Sequence, residues 1–495
     1  MIRHWNEKKT ADFLNKMVVH LIAFVERYFY LLAAILLIIE CINLYYRIDL
    51  ANIYDWDEAR HGVNAYEMLN RNNYLVNFYD GAPDYWNLKP PISFWFVILG
   101  YKLFGFNTLG LRFFSGLSMI ALSVLLLLFV KSRYGRLAAL IACAAFISCA
   151  PLVLEHCGRS GDPDAFYLLF FTLSVLCLIK VKQSPWFFYL SGLFFSFAFL
   201  TKSWHAFSLL IIIGLFYLAS GRVKLLRVKH YLLFALFAIF PIILWAALRY
   251  PFDGTKFFTG MVQYDLLKRS SSAIEGHTGD KYYYLNFIMQ SYTYWFLLLC
   301  STFTAMLATG KRASFERNKQ EIIALACWIL VPFILFSLSK SKLYWYIYPL
   351  FPAMAACIGI FSAHLIKLKK LSLSVLLILL VLFSFYQSEK MILRQVKVRG
   401  TTDVQTVFQP IDRNPNYKKA HVFAESSIGW SQSTHLAALL YGDLVPQKTG
   451  IAGFTKDRRK NSLLLLEKKR ANEKRVNEAG YRTIAQNKKY FLVTK

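Results

Sequence analysis

Long apolar stretches recur along roughly the first 390 residues, and they constrain the fold more than any other feature of this chain. Stretches of about 17–23 residues are long enough for a helix to cross roughly 30 Å of hydrocarbon. Of the 495 residues, 56% are hydrophobic and 17% are aromatic, which excludes an ordinary soluble protein and a disordered one. The sequence therefore predicts a polytopic α-helical membrane protein.

The charge of the connecting loops predicts how the chain crosses the membrane. Lysine and arginine are concentrated in short loops that the positive-inside rule assigns to the cytoplasm. The loops alternate between the two sides only if run 91–104, about 14 residues long, lies along the interface instead of crossing. About eleven spans remain, with the N-terminus inside and the C-terminus outside. The apolar runs are residues 28–46, 91–104, 111–130, 137–152, 165–181, 186–201, 204–220, 231–249, 291–309, 321–338, 343–366 and 371–388.

The net charge of +28 does not indicate a nucleic-acid partner, because most of the excess lies in these short loops, where topology explains it. The eight cysteines have no metal-ligand spacing and no paired framework. The chain has neither a phosphate loop of the nucleotide-binding type nor a dinucleotide fingerprint, so a nucleotide-linked substrate has no support.

Two regions are predicted. Residues 1–389 form the transmembrane domain, whose outer-face loops are 47–110 and 250–290. Residues 390–495 are polar and predict a small extracytoplasmic α/β domain. Its predicted elements are strands at 421–424, 462–466 and 490–493, a helix near 434–441 and a basic helix around 468–475.

The acids Asp57 and Glu58 lie just beyond the first apolar run and open a segment with helical spacing. One interpretation is purely structural, since a helix dipole favours acids in its first turn. Arg60, three residues after Asp57, can pair with it. The other interpretation is a carboxylate that performs chemistry at the membrane surface.

A second outer loop, residues 156–164, carries Asp162 directly before Pro163. This pattern is typical of a capped helix start. It leaves Arg159 unexplained, because this arginine lies on the side that the positive-inside rule keeps free of cations.

Further cations break the same rule in short outer loops. Lysine and arginine next to a bilayer can bind phosphate through charge-assisted hydrogen bonds. For any single cation, snorkelling to the interface is an equally good explanation. As a set they predict an anionic ligand, and the set comprises Lys89, Lys202, Arg269, Lys340 and Lys342. His277, in the long loop, is by itself more typical of a structural histidine.

At these residues the chain resembles the GT-C glycosyltransferases that use polyprenyl-phosphate sugars, and more narrowly glycosyltransferase family 39. That group includes protein O-mannosyltransferases and the 4-amino-4-deoxy-L-arabinose lipid A transferase. The resemblance runs in order over about residues 50–365. The matching pieces are Asp57-Glu58-Ala59-Arg60, Lys89-Pro90-Pro91, Arg159 to Asp164, Thr201-Lys202, Arg269 with His277, and Lys340-Ser341-Lys342-Leu343.

The resemblance implies a GT-C fold with a cavity on the outer face of the plasma membrane, which the sugar donor enters on its lipid. It places Asp57 at the family's catalytic acid and Asp162 at its second acid. Lys89, Lys202, Arg269 and Tyr346 correspond to phosphate-contacting positions. Glu58, Arg60, Arg159, His277, Lys340 and Lys342 are further candidates for substrate binding.

The chain departs from the family pattern at three places. Leu88 stands where the arabinose transferase has a glutamate, which weakens the case for a divalent metal ion there and leaves metal dependence open. His61-Gly62 replaces the usual Tyr-Ala, and Asp280 stands where a proline is common. The substrate is therefore not transferred from the family.

The expected function is transfer of a sugar from a polyprenyl-phosphate donor, with inversion, to a lipid, glycan or protein acceptor. No cofactor is predicted with certainty, and the expected partners are the donor, the acceptor and membrane lipids. The alternative is a transporter or flippase of lipid-linked sugars. Such proteins often place ionisable groups inside the membrane. The apolar runs of this chain are nearly free of charge, with Glu40 as the main exception, which argues against a proton- or ion-coupled transporter.

Overall fold

The computed structural model describes residues 16–221, 226–273, 275–308, 319–368, 371–398, 400–412 and 414–495. Its membrane part is built of helices that follow the predicted apolar runs. In chain order they are α1 Lys16–Arg27, α2 Phe29–Tyr45, α3 Asp57–Asn70, α4 Ile92–Phe104, α5 Thr108–Tyr134, α6 Arg136–Ile147, α7 Ala150–Leu154, α8 Asp164–Lys180, α9 Trp186–Lys202, α10 Phe207–Ala219, α11 Val228–Asp253, α12 Lys256–Gly260, α13 Arg269–Ser271, α14 Tyr283–Ser291, α15 Thr293–Ala308, α16 Lys319–Leu338, α17 Phe351–Lys367 and α18 Leu371–Val398.

Three shorter helical turns lie near the site. A 3₁₀ turn, Ser203–Ala206, joins α9 to α10, and another, Tyr344–Leu350, leads into α17. A π-helical segment, Met261–Lys268, joins α12 to α13.

Among the described residues, six helical stretches are long and apolar enough to cross a membrane, or up to eight if each of two bent pairs counts as one span. One stretch, Trp186–Ala219, reverses direction: the ring centroids of Phe188, near its start, and Tyr217, near its end, lie 5.1 Å apart. The helical membrane architecture is confirmed. The number of about eleven crossings stays a prediction.

Helix α4, the run predicted to lie at the interface, is only 13 residues long. It packs tightly on α5 because Gly100 and Gly110 face each other. A Cβ atom on Gly100 would overlap the carbonyl oxygen of Gly110. This contact anchors the loop directly before α4, which carries Lys89.

The C-terminal region contains a five-stranded sheet. Its strands are β3 His421–Ala424, β4 Val445–Gln447, β5 Leu463–Glu467, β6 Arg482–Gln486 and β7 Tyr490–Thr494, while β1 Phe78–Tyr79 and β2 Ala82–Pro83 form a small hairpin in the first outer loop. The three predicted strands are confirmed as β3, β5 and β7, and β4 and β6 come in addition. The sheet has the order β4-β3-β5-β7-β6, in which β3 is parallel to β4 and β5 while β7 is antiparallel to β5 and β6.

Helices and short 3₁₀ turns surround this sheet. They include the predicted helix near 434–441 and the predicted basic helix. Their bounds are α19 Asp403–Phe408, α20 Gln432–Gly442, α21 Gly450–Lys456, α22 Arg470–Glu478 and the turns Gln409–Ile411 and Pro415–Tyr417.

The C-terminal region packs directly on helix α3. Val63 of α3 and Leu436 of α20 belong to one buried apolar cluster. Just before α3, the backbone N–H of Ile53 donates to the side-chain oxygen of Gln405 over 3.0 Å. Helix α18 continues to Val398, beyond the predicted domain boundary at residue 389. The division into two domains stays a prediction.

Candidate active site

A polar pocket lies where the start of α3, the loop before α4, the end of α9 and the segment around α13 meet. Five of the predicted site residues line it, and they include one acid and three cations. The pocket is lined by Asp57, Trp86, Asn87, Leu88, Lys89, Lys202, Ser203, His205, Tyr264, Asp265, Arg269, Leu343, Trp345 and Tyr346.

A larger cavity of about 830 Å³ lies elsewhere, among α15, α16 and α17. Its wall includes Arg133, at the end of α5, whereas Arg112 near the start of α5 contacts Glu58 beside the polar pocket. Twenty-one residues of helix separate the two arginines by about 30 Å. The larger cavity is mostly apolar, and the described residues of its wall include no carboxylate to face a cation or a hydroxyl group.

Asp57 is the first residue of α3 and forms an ion pair with Lys89. Lys89 Nζ donates to Asp57 Oδ1 over 3.0 Å and to Asn87 Oδ1 over 3.2 Å. Burial alone would raise the pKa of Asp57, but the charges of Lys89 and His156 outweigh it and hold the pKa well below its usual range. Asp57 is therefore ionised.

The second acid, Asp162, lies beside His156, whose Nδ1 is 3.3 Å from Asp162 Oδ2. The imidazole ring stacks on Trp345 with centroids 3.7 Å apart. Burial opposes protonation of His156, but the charges of Asp162 and Asp57 raise its pKa to about 9. Burial alone would likewise raise the pKa of Asp162, but the charge of His156 outweighs it, so the pKa of Asp162 lies below its ordinary value. A protonated His156 therefore links the two acids.

One oxygen of this cluster has no partner. Asp162 is fully buried, and its Oδ1 accepts no hydrogen bond from any residue that the structure describes. Ligand atoms of Asp57, His156 and Asp162 lie within 4.8 Å of one another, a spacing that fits a divalent cation. The donor set therefore fits a metal ion in chemistry and spacing, provided that His156 gives up its proton first.

Two more cations of the pocket also have carboxylate partners. Lys202, at the end of α9, is buried and donates to Asp164, the first residue of α8. Arg269 lies 3.2 Å from Asp265 and donates to the hydroxyl of Tyr346 over 3.2 Å. Burial opposes the charge of Arg269, but Tyr346 and Asp265 raise its pKa above the ordinary value. Three cation–carboxylate pairs thus surround the pocket.

Glu58 is not available to a substrate, so this prediction is wrong. Its carboxylate is completely buried and receives two bonds from the Arg112 guanidinium, over 2.6 and 2.8 Å. It also accepts from the backbone N–H of Gly161 over 2.8 Å. Glu58 therefore ties α3 to α5 and to the loop of the second acid.

Arg60 and Arg159 also form hydrogen bonds with protein groups, one with a carboxylate and the other with backbone carbonyl oxygens. Arg60 makes two bonds to Asp84, over 2.8 and 2.9 Å, and does not form the predicted pair with Asp57. The Arg159 guanidinium donates to the carbonyl oxygens of Asn43 and Leu44 at the end of α2. Neither arginine lines the polar pocket, so the structure gives no support to their roles in substrate binding, which stay predictions.

His277, Lys340 and Lys342 do not line the pocket, and neither does Asp162, which lies beside it next to His156. The backbone N–H of Lys342 donates to the carbonyl oxygen of His277 over 3.0 Å, and Lys342 Nζ donates to the Ser339 carbonyl over 2.7 Å. Lys340 is exposed. Lys342 and His277 thus join two loops. The roles of His277, Lys340 and Lys342 in substrate binding stay predictions.

Sequence reasoning missed several residues of the site. His156 and Asp164 lie in the loop that was singled out, yet neither was selected. Asp265 had a usable signal, because it stands four residues before Arg269 on a helical segment. Trp86 and Trp345 had none, because exposed or interfacial tryptophans are common in membrane proteins.

The comparisons with known proteins agree with this architecture. Residues 88–245 match a family model described as dolichyl-phosphate-mannose-protein mannosyltransferase. An uncharacterized protein of Aquifex aeolicus is 28% identical over 70% of this chain and 68% of its own length. The undecaprenyl phosphate-alpha-4-amino-4-deoxy-L-arabinose arabinosyl transferase of Pseudomonas aeruginosa is 27% identical over 65% of this chain. The match spans only 58% of that transferase.

Solved structures extend the likeness to most of the chain. ArnT from Cupriavidus metallidurans, bound to undecaprenyl phosphate, has a TM-score of 0.65 at 15% identity, covering 94% of this chain and 97% of that one. The Archaeoglobus fulgidus oligosaccharyltransferase has a TM-score of 0.57 at 10% identity, covering 90% and 70%. The predicted resemblance is confirmed: this chain has the GT-C glycosyltransferase fold and is similar in sequence and structure to the arabinose transferases.

Proposed function

We propose that the protein is an integral-membrane glycosyltransferase that moves a sugar from a polyprenyl-phosphate donor to a lipid, glycan or protein acceptor. The observation that carries this proposal is the pocket in which Asp57 faces Lys89, Lys202 and Arg269. An acid beside three cations suits a reaction that removes a proton from one partner and releases a phosphate from the other.

In this mechanism the acceptor hydroxyl oxygen attacks the anomeric carbon of the donor, and the bond from that carbon to the phosphate oxygen breaks. The attack takes place opposite the leaving phosphate, so the configuration inverts. Asp57 accepts the proton from the hydroxyl group, and general base catalysis of this kind contributes about 10²–10⁴-fold. For an acceptor that is already a phosphate, Asp57 instead stabilises positive charge on the sugar.

The cations stabilise the leaving group. The donor phosphate is a diester, and the departing polyprenyl phosphate is a monoester that carries about one more negative charge near neutral pH. Lys89, Lys202 and Arg269 can meet this developing charge, with hydrogen bonds that strengthen in the transition state. As Lys89 turns towards the phosphate, its hold on Asp57 weakens and the carboxylate becomes a stronger base.

Asp57, Asp162 and a neutral His156 would hold a divalent ion. Such an ion would supply positive charge to the donor phosphate. The steps assigned to Asp57, Lys89, Lys202 and Arg269 do not depend on it.

We place this pocket on the extracytoplasmic face of the plasma membrane. The supporting argument is the loop charge, which assigns the basic connections to the cytoplasm and the site loops to the opposite side. Polyprenyl-phosphate sugars as donors are supported by the similarity to ArnT, whose structure contains undecaprenyl phosphate.

The test uses two matched substitutions of a carboxylate by an amide in the purified protein. Asp57→Asn removes the proposed base, whereas Glu40→Gln alters a carboxylate that hydrogen-bonds Ser123 within the helical bundle. Turnover of an undecaprenyl-phosphate sugar with the membrane's own acceptors should fall about 10²-fold or more in Asp57→Asn. It should stay near wild type in Glu40→Gln. No sugar transfer by the wild-type protein, together with movement of the lipid-linked sugar across a vesicle membrane that Glu40→Gln abolishes and Asp57→Asn does not, would instead favour the transporter hypothesis.

A further inference from the structure

Two tryptophan rings lie side by side next to the pocket. Trp56 is 56% exposed and Trp86 is 37% exposed, so part of each ring is open to a ligand. Their ring centroids are 5.7 Å apart and their planes are inclined by 32°. Trp56 directly precedes Asp57, and Trp86 lines the same pocket as Asp57. We call these two rings the tryptophan platform.

Arg60 and Asp84 hold Trp86 of the platform in position. The Arg60 guanidinium lies 4.6 Å from the Trp86 ring centroid and 4.1 Å from that of Tyr79. Asp84, whose side chain is almost fully buried, fixes Arg60 through two bonds and also accepts from the backbone N–H of Trp86 over 2.9 Å. Arg60 is thus a positioning residue for the platform.

Trp56 adopts a backbone conformation that is costly for a bulky residue. Its φ of +62° and ψ of −101° lie outside the regions that L-amino acids favour. Strain of this kind costs on the order of 1–3 kcal/mol and tends to cluster at functional sites. It places the indole ring beside Trp86 while the next residue begins α3.

The C-terminal α/β region contacts two residues that flank the platform. The Asp55 carboxylate accepts from the backbone N–H of Ser433 over 2.8 Å. The Tyr79 ring lies 5.1 Å from the ring of His435 in α20. The residues that flank the platform, Asp55 and Tyr79, thus contact the C-terminal region, while Trp86 lines the pocket.

We propose that the tryptophan platform stacks on a sugar ring of the acceptor, so that the acceptor is a glycan or the head group of a glycolipid. The C–H bonds on the face of a sugar ring carry partial positive charge, and the face of an indole ring carries partial negative charge. Tryptophan also supplies large contact energies at binding sites. Stacking here directs a hydroxyl group of the sugar to Asp57, so this inference rests on the proposed function and specifies its acceptor.

The test is saturation-transfer NMR on the full-length protein in detergent. The probes are maltotriose, mannotriose and chitotriose, a glycolipid that carries one of these head groups, and a Ser/Thr-rich peptide of similar size. The variants are Trp56→Ala, Trp86→Ala and Trp56→Phe. The matched control is Trp186→Ala, which removes a 63% exposed tryptophan at the start of α9, the end opposite Lys202.

We expect at least one sugar probe to receive saturation at its ring protons from the wild-type protein. The dissociation constant should rise about tenfold in both alanine variants, rise less in Trp56→Phe and stay unchanged in Trp186→Ala. Binding of the free trisaccharide identifies a glycan acceptor, and binding of the glycolipid alone identifies a glycolipid head group. Binding of the peptide alone, no binding of any sugar, or equal binding to all variants would overturn the proposal.

A separate measurement distinguishes this inference from the proposed function. Binding of undecaprenyl phosphate should be retained in Trp56→Ala, because Trp56 is not among the residues that line the pocket, and this also shows that the variant is folded. If the wild-type protein binds a sugar probe but not undecaprenyl phosphate, the proposed donor is wrong and the platform stands. If it binds only undecaprenyl phosphate, the platform proposal is wrong and the donor stands.

Discussion

Lys89 and Asp57 form an ion pair, with Nζ 3.0 Å from Oδ1, in a pocket that holds two more cation–carboxylate pairs. The proposed base and a proposed phosphate ligand therefore neutralise each other before the donor binds. Four consequences of this arrangement and its surroundings can be measured.

The pH profile of turnover should report the Lys89–Asp57 pair. Burial raises the pKa of Asp57 and Lys89 lowers it, with a net value below the usual range. Asp57 is therefore ionised in mildly acidic solution, and its activity is lost only as the pH falls through that lowered value. In Lys89→Gln the largest of the lowering charges is gone, while those of His156 and Lys202 remain, so the pKa of Asp57 rises and the acid limb of kcat/KM should move up by about 1–3 pH units.

The control for this measurement is Lys474→Gln, which removes a 75% exposed lysine of α22. Its acid limb should coincide with that of the wild-type protein. An unchanged limb in Lys89→Gln would show that Lys89 does not set the pKa of Asp57.

Removing a pocket cation should weaken binding of the lipid phosphate. Hydrogen bonds to charged groups contribute about 1.5–3 kcal/mol, so Lys202→Gln and Arg269→Gln should each raise the dissociation constant of undecaprenyl phosphate about 10–100-fold. Titration of the purified variants with undecaprenyl phosphate checks this, again beside Lys474→Gln. Equal affinities in the wild-type protein and all three variants would show that Lys202 and Arg269 do not bind the lipid phosphate.

The Glu58–Arg112 pair should contribute to stability, not to binding. Glu58→Gln leaves a buried guanidinium without its counter-charge, which costs about 3–5 kcal/mol in buried pairs. Thermal unfolding in detergent should show a markedly lower Tm. The comparison is Glu478→Gln, which breaks the exposed pair with Lys474 and should change the stability by less than about 1 kcal/mol. Similar Tm values for the two variants would contradict the structural role of Glu58.

The C-terminal region should restrain the segment that leads to Asp57. Gln405 is buried and accepts from the backbone N–H of Ile53. Gln405→Ala leaves this N–H without a partner, at a cost of about 1–3 kcal/mol. Amide hydrogen exchange over residues 51–57 should therefore become faster, whereas Gln447→Ala, which alters a side chain that bonds only locally to Val445, should leave it unchanged. Equal exchange in both variants would disprove this restraint.

The sequence predicted the cations of the pocket because each of them departs from the positive-inside rule. Lys89, Lys202 and Arg269 lie on the side that topology keeps free of positive charge, and a shared anionic ligand explains all three. The family resemblance supplied Tyr346 and Asp162. The helical runs and three strands were also predicted, because apolar length and alternation are local properties of the chain.

The sequence could not separate binding charges from structural ones. Arg60 and Arg159 lie in the same outer loops as the pocket cations, and only their partners, Asp84 and two carbonyl groups at the end of α2, distinguish them. Glu58 differs from Asp57 by one position, and this turns it towards Arg112. Strand β6 was missed because its pairing is irregular between Thr483 and Ala485, so its alternation is broken.

The three cation–carboxylate pairs have a consequence for the release of the product. In the proposed reaction, polyprenyl phosphate leaves with more charge than the donor had, so a pocket of free cations would hold it more tightly than the donor. Asp57, Asp164 and Asp265 remain next to the cations and compete with the spent carrier for them. These three carboxylates can displace polyprenyl phosphate from the cations, which favours its exchange for a new donor lipid that carries a sugar.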